Sequence, residues 1–191
     1  MSVQKEALLT PEAYLALERE APDKNEYFAG EMFAMSSASR RHNLISLNFG
    51  AELRTQLRHR PCEVYTSDMR VKVSPTGLYT YPDVVVVCGE PEFEDTTGDT
   101  LLNPTLLVEV LSQSTEDYDR GRKFEHYRTI LSLQEYLLVS QEKAHIVHYV
   151  RHSHVSWLLS DTSGLDASIA LRAIGCEIAL SEIYAKVRFE A

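Results

Sequence analysis

Two short runs constrain this 191-residue chain more than any other feature. Pro82–Cys88 reads Pro-Asp-Val-Val-Val-Val-Cys, and Leu106–Leu111 reads Leu-Leu-Val-Glu-Val-Leu. Each is too short for a buried helix and apolar at consecutive positions. A strand apolar on both faces belongs in the interior of a sheet that is covered on both sides. The chain must therefore build a central sheet with layers above and below it.

Both runs carry an acid. Asp83 opens the first and Glu109 lies inside the second. A carboxylate among buried Val and Leu is costly unless a cation, a proton or hydrogen-bond donors compensate it. Two such carboxylates on neighbouring strands would repel each other. A divalent cation, which prefers oxygen ligands, would relieve that repulsion.

The rest of the chain supplies the covering layers. Thr10-Pro11-Glu12 is a helix start, with Thr as N-cap and Pro at the first helical position, and that helix stops before Pro22. Glu26–Met35 reads as two strands turning at Gly30. Leu44, Leu47, Leu53 and Leu57 set a second helix over Arg41–Arg58, ended by Pro61. Val64–Val73 reads as one strand, followed by a turn at Ser74–Gly77. Ser114–Asp117 looks like an N-cap and acidic first turn for a helix to about Ile130. Strands are expected at 135–140, 144–150 and 154–160, and a short helix from Leu180. The expected fold is a single α/β domain over residues 1–191, a mixed β-sheet flanked by helices.

On the helix after Glu109, Asp119, Lys123 and Tyr127 fall at i, i+4 and i+8 and share a face. A Lys beside two acids and a metal can hold a scissile phosphate or orient an attacking water.

These residues carry a resemblance. Pro82-Asp83, then Val108-Glu109-Val110-Leu111-Ser112, Ser114-Thr115, Asp119-Arg120, Lys123, Tyr127 and Glu135-Tyr136 resemble the Uma-type putative restriction endonucleases of the PD-(D/E)XK nuclease superfamily. Glu26-Tyr27, Gly30-Glu31 and His42 resemble that family as well. The resemblance spans about residues 10–150. It implies a restriction-endonuclease-like fold and Mg²⁺-dependent hydrolysis of phosphodiester bonds in DNA, with Mn²⁺ as an alternative ion. It assigns Asp83, Glu109 and the Val110 carbonyl to the metal, and makes Glu26 an accessory acid. The superfamily pattern puts Lys two residues after the Glu, where this chain has Leu111, so Lys123 on the following helix is the candidate. Gln113, Leu137 and Ser140 also depart from the usual Pro, Trp and Asp.

Plainer readings stand beside these. Asp83 can be a strand-entry acid bonded to backbone amides. Glu109 can be half of a buried salt bridge with Lys123 or Arg122, and Lys123 can pair with Asp119 on a solvated face. Glu26 can be a hairpin acid, His42 a surface His at a helix end, and Tyr127 a packing residue. His145, His148, His152 and His154 match no compact zinc spacing. Arg40, Arg41, Arg54, Arg58 and Arg60 read first as a solvated face, and otherwise as a surface for phosphates. Ser114 is a helix cap rather than a nucleophile, since no Gly-x-Ser-x-Gly elbow surrounds it.

The net charge of −9 counts against a protein that grips phosphates over its whole surface. It leaves a second reading open: a catalytically inactive nucleic-acid- or protein-binding module of the same fold. Cys62, Cys88 and Cys176 suggest no disulfide framework, and with no signal peptide and no apolar run of membrane length the expectation is a cytoplasmic protein. Cutting both strands of a duplex needs two active sites, so a homodimer is expected.

Overall fold

The computed structural model describes residues 8–35, 37–112 and 118–189. At its centre is a six-stranded sheet that contains both apolar runs. Its strands are β3 (Cys62–Thr66), β6 (Val84–Cys88), β8 (Leu106–Val110), β9 (Glu135–Val139), β10 (His145–Arg151) and β11 (Trp157–Ser163), in the order β11-β10-β9-β8-β6-β3. Only the β8–β9 pair is parallel within this sheet. β6 and β8 occupy its interior, and every residue of β8 is buried. The expected mixed sheet is therefore present.

One face of this sheet is covered by α2 (Arg40–Leu57), whose Ile45, Phe49, Leu53 and Leu57 recur every four residues and are fully or almost fully buried. Ser39 caps α2 by accepting the His42 amide at 3.0 Å. The same face receives a hairpin of β12 (Ser168–Leu171) and β13 (Cys176–Ala179), followed by α4 (Leu180–Ile183). That hairpin is an addition to the sequence reading. Its strands bury alternate residues, Ile169 and Leu171 facing Cys176 and Ile178 across one face.

The other face is covered by a second, five-stranded sheet, ordered β2-β1-β5-β4-β7, and by α3 (Phe124–Tyr127). The strands are β1 (Asn25–Phe28), β2 (Glu31–Ala34), β4 (Arg70–Val73), β5 (Leu78–Thr80) and β7 (Thr100–Leu101). α1 (Pro11–Glu18) packs on β1, with Tyr14, Tyr27 and Tyr79 forming a small aromatic core. β1 and β2 turn at Ala29–Gly30, both with positive φ, as a two-residue hairpin requires.

Two expectations are corrected. Val64–Val73 is two strands, β3 and β4, in different sheets, because the chain turns at Ser67–Asp68 and leaves one layer for the other. Cys62 and Cys88 form a disulfide, since the β3–β6 register sets them opposite each other despite a sequence separation of 26. The expected helix after β8 is present in its described part: Tyr118 is helical, Asp119–Lys123 form a π-helical turn, and this continues into α3. The proposed cap at Ser114–Asp117 lies outside the described residues.

Candidate active site

The site sits at one open end of the central sheet and follows from strand register. Val84 pairs with Val108 in the antiparallel β6–β8 ladder. Continuing that register by one residue, just past the last paired rung, sets Asp83 against Glu109. Opposed residues of an antiparallel pair project to the same face, so the two carboxylates are brought together by the ladder itself. The rung after that would oppose Pro82 to Val110. Instead the Asp83 side chain takes over, and Val110 N–H donates to its Oδ2 at 2.7 Å. The other oxygen, Oδ1, lies 3.1 Å from His42 Nε2 at the first turn of α2. The amide-bonded reading of Asp83 is thus correct, and it holds the carboxylate beside Glu109.

Glu109 is 5% exposed, and its Oε1 accepts from Tyr127 Oη at 2.7 Å and Lys123 Nζ at 3.1 Å. Burial pushes its carboxyl up to about 8, and the Asp119 and Asp83 carboxylates push the same way, against the Lys123 ammonium and the Tyr127 hydroxyl. Lys123 enters from the π turn and is 6% exposed. Its Nζ is 3.1 Å from Glu26 Oε1 and 3.3 Å from Asp119 Oδ1. Burial opposes the ammonium, yet Glu109, Glu26 and Asp119 outweigh burial and hold it charged well above the usual lysine range. Glu26 comes from β1 and also accepts the Thr80 hydroxyl from β5 at 2.5 Å. The Tyr118 ring lies 5.8 Å from Lys123 Nζ, within range for a cation–π contact.

Four elements from both sheets and two helices thus converge on one cleft of about 710 Å³. Glu26, His42, Asp83, Glu109, Asp119 and Lys123 all line it, and so does Val110. Every residue singled out for the site from the sequence is at this place. Tyr127 stands directly behind Glu109, both packed and bonded to the site. Lys123, not Arg122, pairs with Glu109, and its i, i+4 contact with Asp119 is buried rather than solvated.

The Uma2 family model, described as putative restriction endonuclease, matches residues 11–181. The chain belongs to the Uma2 family. Two relatives from Synechocystis sp. (strain ATCC 27184 / PCC 6803 / Kazusa) are similar to it along most of their length. The uncharacterized protein sll1609 is 38% identical over 88% of this chain and 96% of its own. The uncharacterized protein slr1290 is 38% identical over 95% of this chain and 94% of its own. The crystal structure of a putative nuclease belonging to DUF820 from Anabaena variabilis ATCC 29413 superposes with a TM-score of 0.74 at 13% identity, over 94% of this chain and 99% of that one. At that identity the likeness establishes the fold: the Uma2 chain has the restriction-endonuclease-like architecture.

Three contributors to the Uma2 cleft were not legible in the sequence. Thr80 holds Glu26, and Tyr118 faces Lys123. Gln141, just past β9, donates to the Leu111 carbonyl at 2.6 Å and accepts the Ser39 hydroxyl at 2.5 Å, tying the end of β8 to the cap of α2. The histidines of β10 are separate from the site. His148 is buried against Glu135 at 3.0 Å, while His145 pairs with Asp161 at 2.8 Å.

The donor set fits a hard divalent cation. Asp83 and Glu109 are carboxylates lining one cleft, and Val110 lines it beside them and would offer its carbonyl. Among the described residues no group of three or more His, Cys, Asp or Glu side chains is arranged to hold a metal. Mg²⁺ suits such a site, because it binds through one or two carboxylates and keeps several waters.

Proposed function

We propose that this Uma2 protein is a Mg²⁺-dependent DNA endonuclease that hydrolyses phosphodiester bonds, with Mn²⁺ able to replace Mg²⁺. The observation that carries the proposal is the convergence of Asp83 and Glu109 on one cleft, with the Lys123 ammonium 3.1 Å from Glu109. Asp83, Glu109 and the Val110 carbonyl would hold the cation, which when bound would polarise the phosphodiester and lower the pKa of a water.

The protein's own groups divide the remaining work. The Val110 amide and His42 fix the two Asp83 oxygens in orientation. The Tyr127 hydroxyl fixes Glu109 from the buried side. Lys123 presents positive charge to the cleft, where it offsets charge that develops on a phosphoryl oxygen. Glu26, anchored by Thr80, keeps the ammonium in that position. Cleavage of both strands of a duplex requires two such sites, and a symmetric homodimer supplies them. A DNA substrate is met in the cytoplasm, and among the described residues no helix is long and apolar enough to cross a membrane.

A second reading, a catalytically inactive binding module, draws on the three carboxylates already gathered around Lys123. A cleavage assay separates the two. Supercoiled, linear duplex and single-stranded DNA are incubated with wild type and Asp83→Asn, with Mg²⁺, with Mn²⁺ and with chelator. The nuclease reading expects metal-dependent cleavage by wild type that falls at least a hundredfold in the variant. Equal residual cleavage by the two proteins would point to a contaminant and favour the binding module.

A further inference from the structure

α2 connects the active-site cleft to a second concavity. Its first turn contributes His42 and Asn43 to the cleft, and its far end contributes Arg54 and Arg58 to a hollow of about 330 Å³ beside the edge strand β3. Between them runs the solvent face of the helix. Arg40, Asn43, Leu47, Arg54 and Arg58 are exposed and follow one another at steps of three, four and seven residues, so they form a single stripe.

The stripe contains no acid, in a chain whose net charge is −9. Several cations elsewhere are tied to acids. Arg19 is paired with Asp95 and Asp99, Arg41 with Glu142, and Lys72 with Glu94. Arg40, Arg54 and Arg58 are exposed and have no carboxylate partner among the described residues. The carboxylate of the second hollow, Glu63, accepts the Tyr65 hydroxyl instead. Arg60 is separate from the stripe, because its guanidinium donates to the Ile174 and Gly175 carbonyls at 2.7 and 2.9 Å.

We infer that this face of α2 is a phosphate-binding rail that carries the backbone of duplex DNA away from the cleft. Arg40 to Arg58 spans about 27 Å at 1.5 Å per residue. That equals the rise of about eight base pairs at 3.4 Å each. The rail supplies the positive surface that the acidic cleft lacks, and it contacts phosphates rather than bases, so it adds affinity without sequence preference. The inference rests on the nuclease reading, because it takes its ligand from there.

The test is fluorescence anisotropy with a labelled duplex of about 30 base pairs, long enough to cover the rail. Wild type, Arg54→Gln/Arg58→Gln and Arg54→Lys/Arg58→Lys are titrated with Ca²⁺ present over a series of KCl concentrations. Two lost phosphate contacts should flatten the slope of log K against log[salt] by about 1.8, with weaker binding at low salt, and the Lys variant should restore most of that slope. Thermal melting confirms that all three are folded. If wild type binds and the Gln variant has the same affinity and slope, the rail is wrong while the nuclease reading stands. If wild type binds neither duplex nor single-stranded DNA, both are overturned.

Discussion

The Val110 amide donates to Asp83 Oδ2 at 2.7 Å, at the point where the β6–β8 ladder would otherwise end. That bond makes a strand terminus into an active-site wall. It places one carboxylate next to Glu109 and leaves the second Asp83 oxygen facing His42. Geometry of this kind is set by backbone register, so it resists loss when side chains around it change.

His42 should act through Asp83. Its contact at 3.1 Å fixes the free Asp83 oxygen. Supporting residues of this type change metal affinity or activity by about 10–100-fold when removed. His42→Ala should therefore lower Mg²⁺ affinity within that range while changing the melting temperature little. Isothermal titration and a thermal melt check both parts.

Lys123→Met should be strongly destabilising in the absence of metal. The substitution fits the volume but leaves Glu26, Glu109 and Asp119 buried together without their shared cation. Breaking a buried ion pair by removing one partner costs about 3–5 kcal/mol. Urea unfolding measures this. Added Mg²⁺ should raise the stability of the variant more than that of wild type.

Tyr127→Phe removes one donor from Glu109 and keeps the packed ring. An ordinary hydrogen bond contributes about 0.5–1.5 kcal/mol net. The expected loss lies toward the lower end because Lys123 still bonds the same oxygen. Cleavage should fall with little change in secondary structure, which kinetics and circular dichroism would record.

Acid sensitivity should trace in part to Asp99, away from the cleft. Hydrogen bonds from Arg19 hold its carboxyl down at about 2, with Arg70 and Thr100 adding to the effect. A depressed carboxyl favours the folded state above the unfolded value of about 3.9, and that contribution disappears as pH falls through the folded value. Asp99→Asn should cost about 1 kcal/mol at neutral pH, since the pair is one-third exposed. Its stability should then fall less steeply than wild type between about pH 4 and 2. Urea unfolding across that window gives the comparison.

The residues that meet in the cleft were legible where physical cost marked them. Asp83 and Glu109 stood out as acids in apolar strands, and Asp119, Lys123 and Tyr127 shared a helical face. Thr80, Tyr118 and Gln141 carried no such mark, because each acts through a contact made only after distant elements meet. The fold was legible in its central strands for the same reason. The break between β3 and β4 was signalled by Ser67-Asp68, yet the β-prone residues on both sides masked it. The β12–β13 hairpin did have an alternating pattern at Ile169, Leu171, Cys176 and Ile178. The Cys62–Cys88 bond depends on strand register, which spacing along the chain does not show.

The most direct test of the central claim is calorimetric titration of Mg²⁺ and Mn²⁺ into wild type and Asp83→Ala, with a DNA oligonucleotide present in a parallel series. The account predicts binding by wild type, with or without DNA, and none by the variant, whose cleft loses one of two converging carboxylates. Absence of binding to wild type at millimolar metal in both series, or equal binding by the variant, would contradict it.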